Sequence, residues 1–60
     1  MERDNVKALN RWLAANPGHV HHVEDRRYLG WVHVVETAEG AEVARDADLG
    51  SLVDRLERLG

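Results

Sequence analysis

Sixty residues, 43% apolar and 32% charged, amount to one small globular domain over 1–60, with no room for a second. The net charge of −3 excludes a large basic surface for nonspecific binding to DNA or acidic membranes, and zero cysteines exclude disulfides and thiolate metal sites. No apolar run approaches the ~18 residues of a membrane span, and the opening stretch MERDNVKALN is charged from its start. A soluble cytoplasmic chain, with neither membrane segment nor signal peptide, is therefore expected. A chain of this size buries only about 60% of its unfolded surface, so its stability should be about 3–9 kcal/mol. Seven Arg stand against one Lys, and eight Val and seven Leu against no Ile or Phe. GC-rich coding tends to produce this bias, which points to a high-GC bacterium or one of its phages; the small size fits an accessory protein.

The first element is a helix over about 4–15. Val6, Leu9, Trp12 and Leu13 form one apolar stripe, with Lys7, Asn10 and Arg11 off it. Asp4 or Asn5 caps its start, and Asn16-Pro17-Gly18 stops it, since proline disfavours helix before it and glycine permits the turn. Residues 19–24 and 28–37 then read as strands rich in Val and aromatics, separated by Asp25-Arg26-Arg27. A third strand, 41–45, follows Ala38-Glu39-Gly40, where Gly40 suits the left-handed position of a three-residue hairpin with a bulge. This hairpin is expected to pair Thr37 with Ala41, Val35 with Val43 and His33 with Arg45. The last element is a helix again. Leu49, Leu52, Val53, Leu56 and Leu59 make its stripe, and Asp48 sits where the N-cap belongs.

The expected fold is thus α+β: helix, three-stranded antiparallel meander, helix, with both helices on one sheet face. On the central strand Leu29, Trp31, His33 and Val35 alternate with Tyr28, Gly30, Val32 and Val34. Both sets are largely apolar, whereas a sheet with one wet face alternates cleanly. Either the valines of the second face are incidental, or that face is an interface. The second reading implies a homodimer, with Tyr28, Trp31, Val32 and Val34 as contacts and Arg26 and Arg27 at the rim.

The histidines are the next candidates. His19 and His21 share one strand face, and His22 lies on the other. A three-residue turn at Asp25-Arg26-Arg27 pairs Glu24 with Tyr28 and sets His19 opposite His33, so that His19, His21 and His33 gather beside Trp31. A turn of two or four residues separates His19 from His33. No HExxH or CxxC spacing exists, so neither a metal nor another cofactor is expected.

The element order resembles that of double-stranded-RNA-binding domains in topology alone. Those domains open their last helix with a basic cluster, whereas here it opens Asp46-Ala47-Asp48-Leu49-Gly50-Ser51, and the carboxylates repel phosphate. Binding to another protein is therefore preferred, with a nucleic-acid regulator using Arg26, Arg27 and Arg45, assisted by Lys7 and Arg11, as the alternative. Catalysis is not expected. Ser51 is the only serine and lies where caps do, and so small a chain struggles to enclose a dry pocket.

Overall fold

The computed structural model describes residues 3–59, and of Leu29 the backbone alone. Its order is α1 (Asn5–Ala15), β1 (His19–Asp25), a 3-10 turn (Arg27–Leu29), β2 (Trp31–Thr37), β3 (Glu42–Asp46) and α2 (Leu49–Leu59). The strands form one antiparallel sheet in the order β1-β2-β3. This is the expected α-β-β-β-α arrangement. No described helix is long and apolar enough to cross a membrane.

The helix ends follow local chemistry. Asp4 caps α1 by accepting the Lys7 N–H at 3.1 Å. Asp48 caps α2 by accepting the Ser51 N–H at 2.8 Å. Such a cap is worth about 1 kcal/mol. At the end of α1, Asn16 donates its side-chain amide to Trp12 O at 2.8 Å, and Gly18 takes φ +86° to turn the chain into β1.

The core lies between the helices and the Val35 face of the sheet. Ala8 and Leu9 of α1, Val35 of β2, and Leu52, Val53 and Leu56 of α2 are buried together, with Trp12, Leu13, Val43, Ala44 and Leu49 packed against them. Burying one such Leu or Val contributes about 1.5–3 kcal/mol, which makes α2 the main support of the domain. The α1 stripe departs from expectation at one end. Val6 is exposed and Ala8 takes the place in the core, because α1 turns its 8–9–12–13 arc towards α2.

Both hairpins correct the expected registers. β2 begins at Trp31, not at 28, because the chain reverses through a 3-10 turn and Gly30 at φ +79° before it pairs. His19 therefore faces Thr37, and His33 faces Val23. In the second hairpin the three-residue loop forms as expected: Gly40 sits at φ +92°, and the Thr37 N–H donates to Ala41 O at 2.8 Å. A bulge between Val35 and Glu36 then moves the remaining pairs by one, so Val35 faces Ala44 and His33 faces Asp46. The extra residue is Val43, and the bulge lets both Val43 and Ala44 pack on the core, which strict alternation forbids.

Candidate interaction surface

The end of the β1–β2 hairpin carries the exposed aromatics. Asp25 Oδ1 accepts the Arg27 N–H at 2.9 Å, which supports Arg27 in the left-handed region at φ +54°. An arginine held there costs about 1–2 kcal/mol. Arg26 closes the loop by donating its N–H to Gly30 O at 2.8 Å. This tight reversal lifts Tyr28 off the sheet altogether, at 99% exposure, so it belongs to neither strand face. Trp31 follows at the foot of the turn. It shares the Val35 face but lies beyond the helices and is 63% exposed. Arg26 and Arg27 are exposed beside them.

The six expected contact residues do not form one surface. Tyr28, Arg26, Arg27 and Trp31 gather at the hairpin end, whereas Val32 and Val34 lie on the opposite face from Trp31 and are buried. That second face is not bare. In register with Val34 stand His22 on β1 and Arg45 on β3, and Glu24 faces Val32. Arg45 bonds Glu42 at 2.6 Å and Glu24 at 3.3 Å. The two ring nitrogens of His22 lie 3.2 Å from Glu24 and 3.3 Å from Glu36. The stems of these side chains close over the valines while their charged ends meet one another and water. The expectation of an uncovered apolar face is therefore corrected: the sheet covers that face with its own polar residues.

The histidine patch forms in part. His21 Nε2 lies 3.1 Å from His33 Nδ1, with the rings stacked at 5.3 Å between centroids. Burial, followed by the neighbouring His33 and His22, lowers the His21 pKa. His19 stays apart. Its Nδ1 donates to Asn16 O at 2.8 Å and its ring packs edge-on against Trp12. Among the described residues no third His, Asp or Glu joins the pair in a group that could hold a metal. Ser51 donates its hydroxyl to Asp48 at 3.0 Å, within the α2 cap.

Reasoning from sequence missed the polar cover and the free edge of β1. The cover had a signal: His22, Glu24, Glu36 and Val34 all fall on even positions, which the actual register places on one face. No protein-family model, curated protein or solved structure matches this chain.

Proposed function

We propose that the protein is a small non-enzymatic interaction module that binds another protein, as a regulator, inhibitor or adaptor. Tyr28 and Trp31 make the central contacts, and Arg26 and Arg27 form a rim suited to an acidic patch on the partner. One observation carries this reading: two of the three aromatic residues of the chain stand mostly in water at one hairpin end. Water exposure of that much ring surface is unfavourable unless a partner covers it. The nucleic-acid alternative needs Arg45 beside Arg26 and Arg27, but Arg45 is held by Glu24 and Glu42.

The test is affinity capture from host cells with the native chain and with a Tyr28→Ser/Trp31→Ser double variant. A protein held by the native chain and lost by an equally well-folded double variant supports the proposal. So does cross-linking to that protein through a benzophenone at position 28. Recovery of nucleic acid instead, with steep loss on adding salt, favours the alternative. If no captured protein depends on these two side chains, the reading fails.

A further inference from the structure

The two edges of the sheet differ in what they leave open. The β1–β2 ladder decides which backbone groups of β1 face outward. Arg26 N–H donates to Gly30 O and Ala38 N–H to Gly18 O, each at 2.8 Å, so 26–30 and 18–38 are hydrogen-bonded pairs. The register runs unbroken between them. Alternation then directs Val20, His22 and Glu24 towards β2, and turns the N–H and C=O groups of His19, His21, Val23 and Asp25 away from it. Those four backbones bond to no other described residue.

The side chains of β1 add to this. Val20 is 49% and Val23 43% exposed, one on each face of the strand. The strand is seven residues long and contains no lysine, no proline and no bulge. Those are the features that ordinarily keep an edge from pairing. β3, the other edge, is five residues long, bulged, and carries Glu42, Arg45 and Asp46, whereas β1 carries charge only at its end, in Glu24 and Asp25. Of the two edges, as the described residues leave them, β1 is the longer and the more regular.

We propose that a second copy of this chain pairs with β1, antiparallel, about a two-fold axis at His22, to give a continuous six-stranded sheet. The strand fits itself best in that register. His19 meets Asp25 of the partner subunit, and His21 meets Val23 of the partner subunit, so all four outward residues find partners. Four such pairs exchange about eight N–H···O bonds. An axis at His21 or Val23 leaves one outward residue at the strand end unpaired. In this register Asp25 faces an imidazole, Glu24 faces Val20 of the partner subunit, no two carboxylates stand opposite each other, and His22 meets His22 of the partner subunit across the axis. The exposed valines of both copies are drawn into the joined sheet. This inference goes beyond the proposed partner site, because Tyr28 lies outside the paired segment.

Sedimentation of the native chain should report twice its 6.8 kDa mass in the high micromolar range. Val23→Pro removes one outward N–H and leaves the β2 ladder intact, so it should fold and sediment as a single chain. Should that variant unfold, Val23→Lys decides, because an edge lysine should weaken association about tenfold or more. The chain has no cysteine, so His22→Cys offers a direct reading of the register. Oxidation should link two copies through that position, while Glu39→Cys in the far hairpin stays unlinked. A single-chain mass throughout overturns the proposal. So does a dimer that Val23→Lys leaves intact and that His22→Cys fails to link. Neither outcome touches the Tyr28 and Trp31 site.

Discussion

Val34 and Val35 are neighbours in the chain, point to opposite faces of the sheet, and are both almost wholly buried, at 1% and 0% exposure. They are kept dry by different means. Val35 lies beneath Leu9, Leu52, Val53 and Leu56, in a core built by two helices. Val34 lies between His22 and Arg45 of the flanking strands, under a layer of charged side chains. The first cover is apolar packing and scarcely depends on salt. The second combines aliphatic stems with exposed ion pairs, each worth only about 0–1 kcal/mol and screened by salt. A small sheet can therefore be apolar on both sides without needing a second layer of secondary structure.

The largest test of this contrast is on the helix side. Leu52→Asp or Leu56→Asp buries an unpaired carboxylate, which costs several kcal/mol against a total of about 3–9. Either variant should be unfolded by circular dichroism at 25 °C. A native-like spectrum with unchanged melting would show that α2 is not the core element.

A smaller effect is expected on the polar side. Arg45→Ala removes both the stem above Val34 and the pairs with Glu24 and Glu42, for a loss of about 1–2 kcal/mol. At roughly 4–8 °C per kcal/mol in a domain this small, thermal melting resolves it. Arg45→Met keeps much of the stem and should recover most of that loss if the cover is mainly aliphatic. Arg55, which is exposed and pairs with Asp46, is the control; its replacement by Ala should leave melting nearly unchanged. Equal melting of all four proteins would show that the charged layer does not shield Val34.

The smallest effect is a pH dependence on the helix-side face. Burial and the nearby imidazoles depress the His21 pKa, so the folded state resists a proton that the unfolded chain accepts near its ordinary value of about 6.5. Stability is then complete above that value and declines as pH falls below it, through the lower folded pKa. The His21–His33 hydrogen bond adds a chemical reason, because two imidazolium rings have no lone pair left to share. Melting followed from pH 7.5 to 5 should fall, and His21→Gln should flatten the curve. An equally steep fall in that variant would place the acid sensitivity elsewhere.

Much of this structure is legible from local sequence. The Asp4 and Asp48 caps, the stop at Asn16-Pro17-Gly18, the α2 stripe from Leu49 to Leu56 and the left-handed Gly40 all rest on interactions within a few residues, and all are present, whereas Leu59 at the end of the stripe is exposed. The same holds for the presence of three strands, because Val-rich runs broken by turn residues favour extended chain wherever they occur. Register is different in kind. Asp25-Arg26-Arg27 reads as a three-residue turn, yet Asp25 stays in the strand and Arg27 adopts a left-handed backbone, which no propensity for arginine suggests. The bulge at Val43 likewise answers to α2, which gains two apolar neighbours from one shifted pair. Periodicity belongs to each segment alone, so sequence determined the elements and their order. Which residues stand opposite one another, what covers Val34, and which edge is left open depend on neighbours far along the chain, and only the tertiary structure decided them.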